Sequence, residues 1–347
     1  MTLSDRIEAF SFLGETLRNS LAGKPTPFSE RIGQLIETRH INNPWFTPDN
    51  VRMALSAIAG ELTTENLTKW CSAYPGLNSE SKPVNVGVVM AGNLPLAGFH
   101  DFLSVLISGN RISAKISSKD PDLIKLITNI LTSFNSEFGK MIFLTDDRIS
   151  DFDIVIATGS DNSSRYFEYY FGKYPHIIRK NRNSIAILDG TENDEEIRAL
   201  GTDVFSYFGL GCRNVSKLYL PEGYDIAGIT GLWEKYSALI NHNKYSNNYD
   251  FYKAVFLVNR ENFTDTGFLL LKESYELSSP VSVLYYSYYK SKTDMDSQTG
   301  ILKDKIQCIT GHDHVPFGKA QVPALWDYAD GIDTLEFLSK KKCQRIM

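Results

Sequence analysis

The stretch "VNVGVVMAGNLPLAGFHDFLSVLISGNRISAKISSKD", residues 84–120, decides the fold class. It opens with a continuous apolar run, residues 84–90, which is typical of a strand buried on both faces. Residues 94–108 then have the length and period of a helix, and residues 111–117 return to a strand pattern. A strand, a helix and a second strand in this order predict a parallel βαβ unit with a right-handed crossover.

The same alternation continues in both directions along the chain. Asp120 and Pro121 are typical of the N-cap and first residue of a further helix. Strand patterns follow at residues 141–146 and 153–160, and a helix pattern at 163–173. Residues 3–75 have helical periodicity instead, with a helix start predicted at Thr47-Pro48. The sequence therefore predicts an α/β fold preceded by a helical region.

Beyond His176 the alternation restarts. A strand pattern, a helix pattern at residues 193–208 and a strand at 215–220 are followed by helical sequence to about Asn259. Two further strand patterns, residues 279–289 and 304–311, complete a second sheet. We predict a domain boundary near residues 178–190.

Composition excludes several classes of protein. The chain has 347 residues and a net charge of −5, so a nucleic-acid partner is not expected. No signal peptide pattern and no apolar run long enough for a membrane span are present. The four cysteines lack CxxC spacing, which disfavours zinc and a disulfide framework. We expect a cytoplasmic, reduced protein that binds no metal.

One cysteine has an unusual setting. In "YFGLGCRNVSKLYLP", residues 207–221, Cys212 follows a glycine loop and precedes a strand. Such a loop can present a thiol as a nucleophile, and a neighbouring cation such as Arg213 favours the thiolate. The alternative is a small loop residue packed under the sheet, and the local sequence leaves both readings open.

Three strand-to-helix junctions carry polar residues where open α/β sheets bind ligands, at the carboxyl ends of strands. Asn93 is either a helix N-cap or an amide donor for an oxyanion. Lys115 either extends to solvent from a strand end or anchors a phosphate or ribose, with the hydroxyls of Ser117 and Ser118. The third junction, residues 157–161, opens a helix that favours anions. No GxGxxG motif follows a predicted strand, so any dinucleotide binds in another way.

Taken in order, these segments resemble the aldehyde dehydrogenase superfamily, and more closely the LuxC-type fatty acyl-CoA reductases. The resemblance rests on residues 86–120, on "VIATGSDNSSRYFEYYFGKYPHIIRKNRNS" and "YFGLGCRNVSKLYLP", and on "ELSSPVSVL" and "VPFGKAQ". It implies a helical region with a Rossmann-like nucleotide-binding domain at residues 1–185. It also implies a catalytic α/β domain at residues 186–320 and a C-terminal segment at 321–347.

The resemblance also assigns roles to residues. It makes Cys212 the nucleophile and Asn93 the oxyanion donor. The residues that it places at the cofactor are Lys115, Ser117, Ser118, Gly159, Ser160 and Glu276. Of these, Lys115 would hold the adenosine ribose, and Glu276 the nicotinamide ribose.

Two departures from the superfamily pattern are informative. Hydrolytic aldehyde dehydrogenases carry a water-activating glutamate in a Glu-Leu-Gly-Gly motif, whereas residues 178–183 here contain no carboxylate. An acyl-enzyme would then resist water and wait for hydride or a thiol. NAD-preferring relatives place a glutamate where this chain has Ser118. Its absence removes a repulsion of a 2′-phosphate and makes NADPH acceptable, with NADH possible.

These features predict NADPH-dependent reduction of an acyl-CoA, of fatty acyl type, to the aldehyde through a Cys212 acyl-enzyme. The alternatives are an acyl carrier or transferase that uses Cys212 without a redox step, and a non-catalytic scaffold. The predicted partners are an acyl-CoA or acyl-protein donor, an acyl-transferring enzyme and further copies of the chain in a homo-oligomer.

Overall fold

The structure is a computed structural model that describes residues 1–78 and 82–344, except for the side chains of Asp161 and of residues 341–344. The side chain of Cys343 therefore lies outside the described part. The chain forms two compact units by packing: unit 1 contains Met1–Asn181 and the chain from Ala324 onward, and unit 2 contains Arg182–Pro323. The functional domains at residues 1–185, 186–320 and 321–347 remain a prediction.

Unit 1 begins with four helices, which confirms the helical prediction for this region. They are α1 (Leu3–Leu21), α2 (Ser29–Asn42), α3 (Pro48–Glu61) and α4 (Thr64–Ser72). The first is fixed by a capping box between Thr2 and Asp5. The third begins with Thr47 as N-cap and Pro48 as first residue, as predicted.

A five-stranded parallel sheet forms the rest of unit 1. Its elements are β1 (Asn85–Val89), α5 (Phe99–Ile107), β2 (Arg111–Lys115), α6 (Pro121–Phe134), α7 (Phe138–Met141), β3 (Ile142–Thr145), β4 (Ile154–Thr158), α8 (Asp161–Phe171) and β5 (His176–Arg179). The strand order is β3-β2-β1-β4-β5, and each neighbouring pair is parallel. This confirms the predicted βαβ alternation, while β5 was not predicted.

The order of the strands defines where unit 1 can hold a ligand. From β1 the chain moves through β2 to β3 on one side, and it then returns to place β4 on the other side of β1. The connections that leave the carboxyl ends of β1 and β4 therefore diverge. A crevice at such a topological switch point is where open α/β sheets bind ligands.

One predicted helix begins later than expected. Residues 94–98 form turns, and α5 starts at Phe99 with Gly98 as its N-cap. Leu96 has a φ of 57°, in the left-handed region, and its N–H donates to the side chain of Asp120 (2.8 Å). That amide is therefore turned away from a helical hydrogen bond.

Unit 2 is a continuous part of the chain. Its elements are β6 (Asn183–Ile187), α9 (Asp194–Phe205), β7 (Val215–Pro221), α10 (Ile226–Leu232), α11 (Asn243–Val258), β8 (Thr264–Asp265), β9 (Leu270–Glu273), β10 (Val283–Tyr289), α12 (Lys292–Gly300) and β11 (Ile306–Thr310). The sheet order is β11-β6-β7-β10-β9-β8, parallel except for the β8–β9 pair. The predicted strands at β6, β7, β10 and β11 are confirmed.

After Ala324 the chain returns to unit 1 and ends in α13 (Thr334–Gln344). Two buried polar contacts attach this segment. Arg179 at the end of β5 donates to Asp101 (2.7 Å) and to Thr334 (2.8 Å). The indole N–H of Trp70 donates to the hydroxyl of Tyr328 (2.8 Å). The last part of the chain is therefore built into the core of unit 1.

The apolar side chains of both units go into cores on the faces of the sheets. The core of unit 1 includes the inward faces of α1, α5 and α6, and the core of unit 2 includes those of α9 and α10. No helix in the described ranges 1–78 and 82–344 is both long and apolar enough to span a bilayer.

Candidate active site

Asn93 lies at the carboxyl end of β1, in the turn that leads to α5, and its side chain is exposed. The turn passes very close to β2's own carboxyl end, because a Cβ atom on Gly92 would lie 2.1 Å from the Ser117 hydroxyl oxygen. Only glycine permits that approach. The N-cap interpretation of Asn93 is wrong, since Gly98 caps α5.

Lys115 is the last residue of β2 and is half-buried. Its Nζ donates to the main-chain oxygens of Asp146 (2.6 Å) and Asp147 (3.4 Å), which follow β3. Lys115 therefore lies at the strand end, where its ammonium group has main-chain carbonyl partners. Beyond it, Ser117 is half-buried and Ser118 is exposed.

Gly159 and Ser160 follow β4 directly. Ser160 is the N-cap of α8, and its hydroxyl accepts a hydrogen bond from the N–H of Ser163 (3.3 Å). The predicted helix opening is confirmed. The first turn of α8 thus begins beside the carboxyl end of β4, next to that of β1, and the cofactor residues predicted in unit 1 share one edge of its sheet.

Cys212 lies at the amino end of β7 in unit 2, and its side chain is exposed. The reading in which it is packed under the sheet is wrong. The two other cysteines whose side chains the structure describes, Cys71 and Cys308, are buried. Burial raises the pKa of the Cys71 thiol to about 11, which suppresses its thiolate. Cys212 is therefore the accessible thiol among these three.

The Cys212 loop is held by a buried amide, that of Asn214. Its Oδ1 accepts from the N–H of Gly211 (2.8 Å), and its main-chain N–H donates to the Gly211 oxygen (3.0 Å). Its Nδ2 donates to carbonyls at the end of α9, those of Asp203 (3.0 Å) and Ser206 (2.8 Å). One side chain thus closes the loop and ties it to the preceding helix.

Two more contacts fix the loop. The Ser184 hydroxyl, on β6, donates to the main-chain oxygen of Cys212 (2.9 Å). Arg213 donates through Nε to the Ala320 oxygen (2.5 Å). Burial raises the pKa of Asp203 to about 6, against the opposing effects of its main-chain hydrogen bonds and of the Arg213 charge. The charge of Arg213, the residue after Cys212, therefore favours the ionised form of the buried Asp203.

The segment before the loop has a strained backbone. Tyr207 and Phe208 have φ values of 52° and 59°, and Gly209 follows at 76°. The left-handed conformation costs a non-glycine residue about 1–2 kcal/mol, so it persists only where packing imposes it. Here the ring of Phe208 packs against that of His242, with centroids 4.4 Å apart. His242 is also the N-cap of α11.

Glu276 is exposed and lies in the segment that leads into β10. The hydroxyl of Ser216 on β7 donates to the oxygen of Leu277 (2.8 Å), which attaches this segment to the strand that follows Cys212. Glu276 lies three residues after the end of β9 at Glu273, and its N–H donates to the Ser274 hydroxyl (3.1 Å). Of these two residues, Cys212 is the one at the amino edge of the unit 2 sheet, just before β7.

A possible metal site lies at the opposite edge of that sheet. Asp189, Glu192 and His312 each offer one ligand atom, and these atoms lie within 4.8 Å of one another. His312 also contacts Asp189 (2.8 Å) and Glu196 (3.2 Å) through its two ring nitrogens. No local pattern predicted this group, because His312 is far from the other two residues in sequence. The absence of a metal remains a prediction.

Sequence analysis also missed the residues that support the loop. Asn214 is two positions after Cys212, and a buried asparagine beside a glycine turn is a typical loop support. Ser184 carries no local signal, because its link to Cys212 depends on the pairing of β6 with β7.

At the unit 1 edge, an amide, an ammonium group, hydroxyls and a helix N-terminus suit a polar, anionic ligand such as a dinucleotide. At the unit 2 edge, an exposed thiol in a fixed loop suits attack on a carbonyl. The sequence matches no protein-family model and no curated protein. Solved structures do match it. The chain has an aldehyde dehydrogenase-like fold.

Three of these structures illustrate the match. Aldehyde dehydrogenase 21 from Physcomitrella patens, in complex with succinate, has a TM-score of 0.66 and 12% identity, over 99% of this chain and 85% of that one. A Mycobacterium tuberculosis aldehyde dehydrogenase complexed with NAD+ has a TM-score of 0.63 and 14% identity, over 98% of this chain and 84% of that one. A propionaldehyde dehydrogenase mutant from Clostridium phytofermentans has a TM-score of 0.58 and 9% identity, over 93% of this chain and 82% of that one. At such low sequence identities, the similarity to aldehyde dehydrogenases establishes the fold alone.

Proposed function

We propose that the protein reduces an acyl-CoA to the corresponding aldehyde with NADPH, through an acyl-enzyme on Cys212. The observation that carries the proposal is the exposed Cys212 thiol in a loop fixed by Asn214 and Ser184. A fatty acyl group is the proposed substrate class, because the sequence resembles LuxC-type reductases.

In the first half-reaction the Cys212 thiolate attacks the thioester carbonyl and coenzyme A leaves as its thiolate. Asn93 donates a hydrogen bond to the oxyanion that develops on the carbonyl oxygen. The product is a new thioester on Cys212.

In the second half-reaction the acyl thioester, NADPH and one proton give the aldehyde, NADP+ and the free Cys212 thiol. NADPH supplies the hydride when it is bound. The chain's own contribution is to hold the cofactor, with Lys115 and the hydroxyls of Ser117 and Ser118 near the adenosine ribose and Glu276 at the nicotinamide ribose. These polar groups at strand ends fit such a ligand.

Residues around β5 support reduction over hydrolysis. The chain from Ile178 to Asn183 has no carboxylate, and its Arg179 is engaged by Asp101. A water molecule near the acyl-enzyme therefore lacks a base from this segment. The thioester would survive until hydride arrives.

Intact mass measurement tests both half-reactions. The purified protein is incubated with acyl-CoAs of graded chain length, with and without NADPH or NADH. We expect a mass gain equal to the acyl group, located on Cys212, that disappears when NADPH is added and aldehyde forms. An adduct that persists with NADPH and is discharged only by an added thiol would favour acyl transfer. No adduct with any acyl-CoA would refute the proposal and favour a scaffold.

A further inference from the structure

The turn that presents Asn93 is held by a buried carboxylate that the proposed reaction does not use. Asp120 is the N-cap residue of α6 and is 6% exposed. Its Oδ2 accepts a hydrogen bond from the N–H of Leu96 (2.8 Å). A hydrogen bond to an ionised group inside a protein is stronger than one between neutral groups.

This contact holds a conformation that the turn would otherwise leave. Leu96 has a φ of 57°, in the left-handed region that a leucine rarely adopts. Such a residue persists when the surroundings over-determine its geometry. Asp120 supplies that constraint on one side of Asn93, and Gly92, pressed against Ser117, supplies it on the other.

Asp120 in turn lies near a buried cation. Arg39 on α2 is 4% exposed and forms an ion pair with Asp122. Its Nε and Nη2 have no direct hydrogen-bond partner among the described residues. Asp120 also interacts with the main-chain N–H of Leu123 in the first turn of α6. The Arg39 charge lowers the pKa of Asp120, which favours the carboxylate form. Buried donors such as those of Arg39 are usually joined to an acceptor directly or through a water molecule.

We propose that Asp120, supported by Arg39, is the positioning residue that fixes the Gly92–Leu96 turn and so aims the Asn93 amide. The catalytic consequence rests on the proposed function, in which Asn93 receives the oxyanion. Asp120 does not touch the substrate in this scheme.

Protonation offers a readout that a purely structural role would not move. Burial raises the pKa of Asp120 to about 6, against the opposing effects of the Leu96 hydrogen bond and the Arg39 charge. Asp122 on α6 is the charged group that acts in the same direction as burial. As pH falls below about 6, the carboxylate becomes a weaker acceptor for the Leu96 N–H, and turnover should fall with it.

The test compares Asp120→Ala and Asp120→Asn with the control Asp49→Asn, which removes the charge of an exposed aspartate in the first turn of α3. Hydrogen exchange of peptides covering residues 92–98 is measured first and needs no activity. We expect exchange at Leu96 on the order of tenfold faster in Asp120→Ala. The asparagine variant keeps an acceptor and should be intermediate, and the control should match the wild type.

Steady-state kinetics form the second arm. We expect kcat to fall on the order of 100-fold in Asp120→Ala, with the KM for acyl-CoA and the Kd for NADPH unchanged. Asp120→Asn should recover part of kcat and lack the fall below about pH 6. Unchanged exchange in Asp120→Ala, or faster exchange with unchanged kcat, would overturn the proposal. A wild type that reduces no acyl-CoA refutes the proposed function instead, and exchange alone then decides whether Asp120 holds the turn.

Discussion

The candidate residues lie at opposite edges of the two sheets, at the carboxyl ends of strands in unit 1 and at the amino end of a strand in unit 2. In unit 1 the candidate residues follow their strands, with Asn93 after β1, Lys115 at the end of β2 and Ser160 after β4. In unit 2 the exposed Cys212 thiol precedes its strand, β7, whereas Glu276 lies between β9 and β10. The carboxyl edge of a parallel sheet receives ligands through the divergence of its connections. No comparable general rule makes the amino edge of a parallel sheet a ligand site.

The difference appears in how each edge is built. The unit 1 edge relies on backbone features, such as the close approach at Gly92 and the start of α8. The unit 2 edge relies on side chains that bind backbone, chiefly Asn214 and Ser184 around Cys212. A site outside the usual place in the fold therefore depends on a few individual hydrogen bonds, which makes it the easier one to break.

Replacing Cys212 should have the largest effect. In Cys212→Ser we expect no acyl adduct and no NADPH consumption with acyl-CoA, because a serine hydroxyl is a far weaker nucleophile without a base. Cofactor binding at the unit 1 edge should persist, as measured by NADPH fluorescence. Cys308→Ala, at a buried cysteine, is the control. Normal turnover in Cys212→Ser would show that the amino edge of the unit 2 sheet does not supply the nucleophile.

Asn93→Ala should have the second largest effect. Loss of one oxyanion donor lowers turnover by about 100- to 1,000-fold. The acyl adduct on Cys212 should still form, slowly, so rapid-quench mass measurement separates the two edges. Asn135→Ala, at the far end of α6, serves as the matched asparagine control. If Asn93→Ala keeps full turnover, the carboxyl edge serves the cofactor alone.

Two lysines, one in each sheet, differ in how their charge affects the stability of the folded protein. Lys115 reaches carbonyl partners at a strand end, whereas Lys217 lies within β7 and is 1% exposed. Burial lowers the pKa of Lys217 to about 8. Its buried charge therefore costs stability fully below about pH 8, and the cost disappears as pH rises towards the unfolded value.

We expect Lys217→Met to raise the free energy of unfolding near pH 7 by roughly 3 kcal/mol, which corresponds to the shift of the Lys217 pKa. The advantage over the wild type should shrink between about pH 8 and pH 10.5 in urea titrations. A pH-independent difference would show that Lys217 is neutral, or paired, in the folded protein.

His312 should give the smallest effect. Its contact with Asp189, together with Glu196, raises the pKa of the imidazole. A raised pKa means that the stabilisation is present at low pH and is lost as pH rises through the folded value. The stability difference between wild type and His312→Gln should therefore decrease from pH 5 to pH 8. A difference that grows over this range, or that depends on added Zn²⁺, would indicate a different role for this edge.

Much of the fold could be predicted because buried parallel strands are nearly continuous apolar runs. The runs at β1, β4 and β7 were recognised in this way, and the caps at Thr47 and Asp120 located two helices. The short strands β5 and β9 were missed, since four residues carry little periodicity. The start of α5 was placed too early because the Asp120–Leu96 contact joins residues that no local pattern connects.

The site was predictable to a lesser degree. A cysteine behind glycines is visible in the sequence, and its exposure agrees with the reading as an accessible thiol. The supports of the loop were not visible, because Ser184 and Arg213 act on residues brought close only by strand pairing and by the segment near Ala320. The roles of Asn93, Lys115 and Glu276 remain predictions that rest on resemblance.

The return of the chain to unit 1 has a consequence during synthesis. Arg179 must wait for Thr334, 155 residues later, to leave the ribosome. At ordinary elongation rates this takes roughly 8 to 30 s, and all of unit 2 is synthesised before Thr334 is reached. The nascent protein would therefore expose an incomplete first unit beside a finished second one. Chaperone dependence and sensitivity to C-terminal truncation should consequently fall on the unit that is translated first.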